Sequence, residues 1–302
     1  MSTAATPPAA TPPDTRLPDN GQPRHDASSH VPSHEHDHDD EHPHAHDGEH
    51  AHDHPHPHPD TDAAPPLAAV QDIHFTYPGS ADPVLRGASL ALRPGRRIGL
   101  LGHNGSGKST LLHLLMGLLR PQSGLVLHRG VPMTREADFA PLRREVGFLF
   151  QNSDDQLFCP TVLEDVAFGP LNHGASPAEA RAVAQGTLER LGFAGFGSRV
   201  THRLSGGEKK MIALAAVLAM QPQALLLDEP TNDLDPRTRD RLLATLAAHS
   251  PTHLIISHDW DFLAQTCDSF LSVQDGTVRI ATHTPHTHVH THTGGDVHHH
   301  HG

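Results

Sequence analysis

The sequence predicts an α/β fold, in which helices cover both faces of a mainly parallel sheet, between two polar end segments. A glycine-rich loop at residues 102–109 lies between an apolar strand pattern and a helical pattern, the order typical of an α/β unit. The continuous apolar run ALLL at residues 224–227 is typical of a strand buried on both faces. Residues 63–280 alternate apolar runs with turn residues, as a single well-buried domain of this size would.

The two ends of the chain differ in composition from its centre. Residues 1–62 contain 13 of the 31 histidines and 13 of the 35 acidic residues, against two basic residues, Arg16 and Arg24. Residues 281–302 contain nine further histidines. Segments with so few large apolar residues cannot offset the entropy of ordering. The composition therefore predicts a disordered tail at residues 1–65, a folded domain at 66–280 and a second disordered tail at 281–302.

Composition also disfavours several classes of protein. The first residues lack an apolar h-region and a basic start, so no secretory signal is expected. No uninterrupted apolar run approaches the roughly 18 residues that a membrane helix needs. The net charge of −13 argues against nucleic acid as the main partner, because phosphate binding depends on Lys and Arg. Cys159 and Cys267 lack metal-ligand spacing, which favours reduced thiols in a cytosolic compartment.

The loop GHNGSGKS at residues 102–109 matches the phosphate-loop motif G-x-x-x-x-G-K-S/T at every fixed position. A turn that only caps a helix is the alternative, but the strand before it and the helix after it favour a phosphate loop. Inward-facing N–H groups would bind phosphate, while Lys108 would reach the β- and γ-phosphates and Ser109 would offer its hydroxyl to Mg²⁺. The residues predicted here to bind nucleotide are Gly102, Asn104, Gly105, Ser106, Gly107, Lys108, Ser109 and Thr110.

The apolar run at residues 224–227 ends in two carboxylates, Asp228 and Glu229. Acidic residues at a strand end are often solvated caps, but a cap does not require a phosphate loop 120 positions earlier. Asp228 is predicted to hold Mg²⁺ and Glu229 to polarise the attacking water. Together with the phosphate loop, these residues predict a P-loop NTPase.

The stretch LSGGE at residues 204–208 precedes a long helical pattern. A serine N-cap explains its local shape. Its position between the phosphate loop and the Asp-Glu strand gives the chain a resemblance to ATP-binding cassette (ABC) ATPases. That resemblance implies a parallel-sheet core, an antiparallel β subdomain and an α-helical signature subdomain. It also implies a head-to-tail dimer, homodimer or paralogue pair, in which Ser205, Gly206 and Gly207 of one chain close over ATP and Mg²⁺ held by the other.

Four further positions match the family's motifs, and their roles are implied by the resemblance. Tyr77 matches the aromatic that stacks on adenine, although a lone aromatic at a strand end can also serve packing. Gln151 matches the glutamine that contacts Mg²⁺ and the attacking water. Asp235 matches the loop that couples the two sites, and His258 matches the histidine that contacts the γ-phosphate. Lys108, Gln151, Glu229 and His258 are thus the predicted catalytic residues.

The segment FQNSDDQLF at residues 150–158 is similar to ATPases of energy-coupling-factor importers, especially their cobalt and nickel branch. In that group a short helix after the glutamine shapes the groove for a membrane partner. The resemblance implies a transmembrane coupling protein, a substrate-capture membrane subunit and a location at the cytoplasmic face of the cell membrane. The chain itself is predicted to be an ATP hydrolase coupled to transport.

The first tail predicts a transition-metal site. Histidines two residues apart lie on one face of an extended chain, and imidazole ligands without thiolate suit Ni²⁺, Co²⁺, Zn²⁺ or Cu²⁺. A solvated linker is the alternative, but a linker has no reason to accumulate histidine. The tail cannot select its metal; the family resemblance suggests nickel or cobalt. The predicted ligands are His34, His36, His38, His42, His44, His46, His50, His52, His54, His56 and His58.

Other interpretations remain open from sequence. The cassette could serve another solute, such as zinc or a vitamin, or an efflux system. It could also belong to a metal-storage protein with a vestigial ATPase, although intact Lys108, Glu229 and His258 argue against that.

Overall fold

The computed structural model describes residues 64–281 of the chain. Its central sheet has six strands in the order β10-β9-β3-β8-β7-β6, all parallel to their neighbours except β10, which is antiparallel to β9. A second, antiparallel sheet has the order β2-β1-β4-β5. The strands are β1 (Ala68–Phe75), β2 (Leu85–Leu92), β3 (Arg97–Leu101), β4 (Ser123–His128), β5 (Val131–Pro132), β6 (Val146–Leu149), β7 (Ala224–Asp228), β8 (His253–Ile256), β9 (Ser269–Gln274) and β10 (Thr277–Ile280).

Seven α-helices accompany the sheets within the described residues. They are α1 (Lys108–Leu115), α2 (Phe139–Glu145), α3 (Val162–Asn172), α4 (Pro177–Arg190), α5 (Gly206–Leu218), α6 (Pro236–His249) and α7 (Trp260–Thr266). Short 3₁₀ helices occupy Glu136–Asp138, Ser153–Asp155 and Thr201–Arg203. The 3₁₀ turn at Ser153–Asp155 is the short helix expected after Gln151.

The parallel strands are buried on both faces, as their apolar sequences predict. In β7, Leu226 belongs to one apolar cluster, which includes residues of β1, β2 and α1. Leu225 and Leu227 belong to the other, which includes residues of α3, α4 and α5. Alternate side chains of one strand thus enter two cores on opposite faces. This arrangement confirms the predicted α/β fold, with its parallel core, antiparallel subdomain and helical subdomain.

Side-chain caps fix where several helices begin. A capping box begins α3, since Thr161 Oγ1 accepts a hydrogen bond from Glu164 N at 3.4 Å and Glu164 Oε2 accepts one from Thr161 N at 3.0 Å. Ser205 caps α5 in the same way with Glu208. Asp235 caps α6, where its Oδ1 accepts from Arg237 N at 3.0 Å. Local sequence therefore determines where α5 begins. The residues at its start, 205–207, are called the LSGGE tip.

Candidate functional site

The phosphate loop joins β3 to α1 in the order that the motif predicts. Gly102 and Gly107 have φ values of 147° and 101°, a region that favours glycine. A Cβ at Gly102 would lie 2.7 Å from Ser106 Oγ, and one at Gly107 would lie 2.9 Å from Val84 Cγ1. Any larger residue at these two positions would therefore strain the loop and displace its neighbours.

Lys108 lies across the inside of this loop. Its Nζ donates hydrogen bonds to the carbonyl oxygens of Gly102 and His103, at 2.8 Å and 3.0 Å. Burial lowers the pKa of Lys108, and the nearby carboxylates of Glu229 and Asp228 oppose that shift. The ammonium is thus placed beside the loop amides, where a terminal phosphate would be bound.

Asp228 and Glu229 follow one another at the carboxyl end of β7. Their exposed fractions are 2% and 5%, and burial raises the pKa of both carboxyls. A hydrogen bond from the Ser109 side chain opposes the shift at Asp228. Glu229 has a left-handed backbone with φ 48°, and its N–H donates to the carbonyl of Ile256 at 2.9 Å. The strand end thereby turns the two carboxyls toward the phosphate loop.

Beside the phosphate loop, buried oxygens without a hydrogen-bond partner suit a bound cation and phosphate. Within residues 64–281, Ser106 Oγ, Asp228 Oδ1 and Glu229 Oε2 are buried without a hydrogen-bond partner. Buried polar atoms are rarely left so unless a ligand or water completes them. The Ser109 hydroxyl beside the Asp228 carboxylate is a hard oxygen pair that suits Mg²⁺. When bound there, Mg²⁺ would neutralise charge on the β- and γ-phosphate oxygens.

His258 lies at the end of β8, next to these oxygens. Its Nε2 is 3.3 Å from Glu229 Oε1. The side chain is about half exposed, so one face of the ring is open to a ligand. The contact brings two of the predicted catalytic residues together.

A cavity of about 390 Å³ opens above the phosphate loop. Nine predicted site residues line it: Tyr77, Asn104, Gly105, Gly107, Lys108, Ser109, Thr110, Gln151 and Glu229. Tyr77 packs edge-to-face on Phe75 at 4.9 Å, and its hydroxyl lies 3.0 Å from Thr110 Oγ1. Because the ring is 41% exposed, one face remains available for stacking on a base.

The residues of the LSGGE tip do not line this cavity. Gly206 lines a different cavity, of about 380 Å³, which Gln151 also borders. No atom lies within 4 Å of a Cβ added at Gly206, so this residue faces open space, whereas Gly207 is buried and a Cβ there would lie 3.5 Å from Thr238 Cγ2. Asp235 does not line the phosphate-loop cavity either, since its carboxylate is engaged in capping α6. Within one chain, the LSGGE tip therefore does not reach the phosphate-loop cavity.

Sequence comparison identifies the family. A sequence model described as ABC transporter matches residues 85–232. An ABC transporter ATP-binding protein of Nitratidesulfovibrio vulgaris is 68% identical over 236 residues, covering 78% of this chain and 86% of the relative. The chain belongs to the ABC transporter family. It is an ABC ATPase, an ATP-hydrolysing subunit of a transporter.

Two further relatives of this ABC ATPase have more specific names. The energy-coupling factor transporter ATP-binding protein EcfA of Methanothermobacter thermautotrophicus is 42% identical over 72% of this chain and 70% of the relative. The nickel import ATP-binding protein NikO of Rhodobacter capsulatus is 44% identical over 72% of this chain and 89% of the relative.

A solved structure shares the fold of the ABC ATPase. CbiO1 of Clostridium perfringens, described as part of the ABC transporter complex CbiONQ, aligns with a TM-score of 0.62 and 33% identity. The alignment covers 72% of this chain and 88% of CbiO1.

Three side chains of the ABC ATPase that support the site were missed by the sequence reasoning. Gln156 Oε1 accepts from Phe150 N at 3.2 Å, and so holds the segment that carries Gln151. Asp165 Oδ1 accepts from the backbone N–H groups of Phe158 and Cys159 at 3.0 Å and 2.9 Å. Lys210 is buried and contacts the same segment as Gln156. Motif spacing carries no signal for these contacts, because each partner is a backbone group, which every residue type presents.

The predicted metal ligands from His34 to His58 lie outside the described residues. Between residues 64 and 281, no group of three or more His, Cys, Asp or Glu side chains could hold a metal ion. None of the helices in the same range is long and apolar enough to cross a bilayer. Cys159 and Cys267 are free thiols.

Proposed function

We propose that this ABC ATPase powers an energy-coupling-factor importer for nickel or cobalt ions, at the cytoplasmic face of the membrane. The observation that carries the proposal is that a histidine-rich tail and a cassette similar to the nickel import protein NikO, at 44% identity, occur in one chain. The likeness to EcfA and to CbiO1 supports the same transporter class. A vestigial ATPase is disfavoured, because Lys108, Glu229 and His258 meet at one site.

ATP-driven uptake tests the proposal. The chain would be purified with its membrane subunits and placed in vesicles that expose it to ATP on the outside. Transport toward the ATP-bearing side is expected for Ni²⁺ or Co²⁺. Transport of a vitamin instead, or movement of metal away from that side, would overturn the assigned cargo or direction.

A surface beside residues 150–157, the Gln151 segment, is the proposed contact for the coupling protein. We define the aromatic patch as Phe158, Phe168 and Leu171, whose exposed fractions are 64%, 42% and 42%. The rings of Phe158 and Phe168 meet edge-to-face at 4.7 Å. Asp165 holds the backbone at Phe158 from below and also accepts from Thr201 Oγ1 at 2.9 Å. A fixed apolar surface of this kind is typical of a protein interface.

Replacing Phe158 by alanine is expected to uncouple the ATPase from its membrane subunits. An anchor residue of this size contributes about 2 kcal/mol or more, so affinity for the coupling protein should fall by roughly 30-fold. Basal ATP hydrolysis should stay unchanged. Val131→Ala is the matched control, because Val131 is 65% exposed on the antiparallel sheet. Equal losses in both variants would remove the patch from its assigned role.

The open LSGGE tip supports a two-chain ATPase. We propose that Ser205, Gly206 and Gly207 contact ATP bound by a second subunit, either a copy of this chain or a paralogue. The N-terminus of α5 presents free N–H groups and a positive dipole end, which suit a γ-phosphate. Asp235, at the start of α6, is proposed to couple the two sites.

The tails are proposed to buffer or sense the metal beside the transporter. Exchanging the eleven predicted ligands between His34 and His58 for asparagine should remove the Ni²⁺ capacity of the first tail, keep that of the nine histidines at residues 281–302, and leave ATP hydrolysis unchanged. In the natural chain, Ni²⁺ should be released as pH falls through about 6, because imidazolium does not bind metal. Calorimetric titration measures both effects. Undiminished Ni²⁺ capacity in the exchanged chain would refute binding by this tail.

A further inference from the structure

Lys210 is a buried cation that the motif-based site does not include. It lies on α5, five residues after Ser205, and is 5% exposed. Its Nζ donates to the carbonyl oxygen of Gln151 and lies 3.5 Å from that of Phe150. Burial lowers the pKa of Lys210, while Asp228, Asp233 and Glu229 oppose that shift. An ammonium is kept from water here and is satisfied mainly by the backbone of one loop.

The Gln151 segment is held at its backbone and open at its side chain. Gln156 Nε2 donates to Phe148 O at 3.2 Å, and Gln156 Oε1 accepts from Phe150 N at 3.2 Å. Lys210 holds the carbonyls of Phe150 and Gln151. Gln151 is exposed and lines the phosphate-loop cavity. The place of that amide in the cavity therefore depends on where Lys210 holds its backbone.

We propose that Lys210 is a positioning residue, which fixes Gln151 in the nucleotide cavity and ties it to the helix that carries the LSGGE tip. Any displacement of α5 then moves Gln151 with it. The tip and Gln151 are thereby linked through one helix, and Gln151 borders both the phosphate-loop cavity and the cavity lined by Gly206. The inference rests on the proposed roles of Gln151 and of the tip, and it is independent of the metal carried.

The neighbouring lysine provides a matched control. Lys209 Nζ pairs with Asp154 Oδ1 at 2.6 Å, in the same loop, but the Asp154 side chain is 64% exposed. The Lys209 side chain is 18% exposed, but water at Asp154 screens the pair, which therefore contributes little. Lys209→Met therefore removes the same charge from the adjacent position of α5 without releasing the carbonyl of Gln151.

The full-length chain would be compared with its Lys210→Met, Lys210→Arg and Lys209→Met variants. Lys210→Met leaves the carbonyls of Phe150 and Gln151 without this donor, so the variant should be less stable, and circular dichroism would establish that it is folded before its kinetics are compared. In the nucleotide-free protein, hydrogen exchange of a peptide covering residues 150–157 should accelerate in Lys210→Met and in neither other variant.

The same variants should differ in their kinetics. kcat should fall by about 10²-fold in Lys210→Met, with the KM for ATP within about threefold, because a displaced amide misplaces the reacting groups. Lys210→Arg should recover at least about tenfold of that loss, since it keeps the donor and the charge.

A double variant separates positioning from a general structural role. Adding Gln151→Ala to Lys210→Met should cause no further loss of kcat, because both changes remove the same interaction. Additive losses, an unchanged kcat in Lys210→Met, or equal losses in Lys209→Met would each overturn the inference. A natural chain that hydrolyses ATP without transporting nickel or cobalt would instead refute only the proposed cargo.

Discussion

Replacing Glu229 by glutamine is expected to slow ATP hydrolysis by about 10²- to 10⁴-fold while ATP still binds. The carboxyl is 5% exposed and its Oε2 has no partner among the described residues, so it is free to accept a proton from water. Glutamine keeps the shape and loses the basicity. Steady-state phosphate release would measure the rate, and size-exclusion chromatography with MgATP should show an accumulated dimer. Normal turnover would remove Glu229 from its role as base.

The acid limb of the pH–rate profile should follow the same carboxyl. Burial raises the pKa of Glu229, and the His258 side chain opposes that shift. In the role predicted for Glu229, the carboxylate is the form that accepts a proton from water. The rate of the natural enzyme should therefore fall with decreasing pH at values above those usual for a glutamate. The residual hydrolysis rate of Glu229→Gln should not show this fall as the pH decreases. An acid limb of the same midpoint in both proteins would contradict the assignment.

Replacing Lys108 by alanine is expected to weaken ATP binding by about 10- to 100-fold, the equivalent of one or two hydrogen bonds made by a charged donor. The Nζ lies inside the phosphate loop, and its removal also leaves the carbonyls of Gly102 and His103 without their donor. A fluorescent ATP analogue would measure affinity. Lys209→Ala is the control, since that lysine lies outside the phosphate-loop cavity. Equal affinities of Lys108→Ala and the natural chain would contradict the proposed phosphate contact.

These two substitutions separate binding from chemistry. Glu229→Gln should retain nucleotide and lose turnover, whereas Lys108→Ala should lose both. The difference follows from geometry, because Lys108 crosses the loop that would hold the phosphates, whereas Glu229 lies at the strand end beside His258.

The sequence predicted those parts of the site that lie within short segments. The glycines at 102 and 107 predicted the turn of the phosphate loop, and the serine N-cap at Ser205 predicted where α5 begins. The run that ends at Asp228 becomes a strand buried on both faces. Each of these features is determined by residues only a few positions apart.

Contacts between distant segments could not be predicted in the same way. In the sequence Lys210 is one residue of a helical pattern. That pattern does not indicate its contact with Gln151, which is 59 positions away. In the sequence Asp165 is an ordinary acid in the first turn of a helix, but its carboxylate accepts a hydrogen bond from Thr201, 36 positions away. Such contacts depend on how subdomains pack, which periodicity and spacing do not encode.

A mixing experiment tests most directly whether nucleotide is held between two subunits. Lys108→Ala and Ser205→Arg chains would be purified separately, and their ATPase rates measured alone and after mixing with the membrane subunits. Each should be nearly inactive alone. An equal mixture should recover about a quarter of the natural rate, because half of the dimers then contain one intact pair of phosphate loop and tip. A mixture no more active than its components would contradict a nucleotide site shared between two copies of this chain.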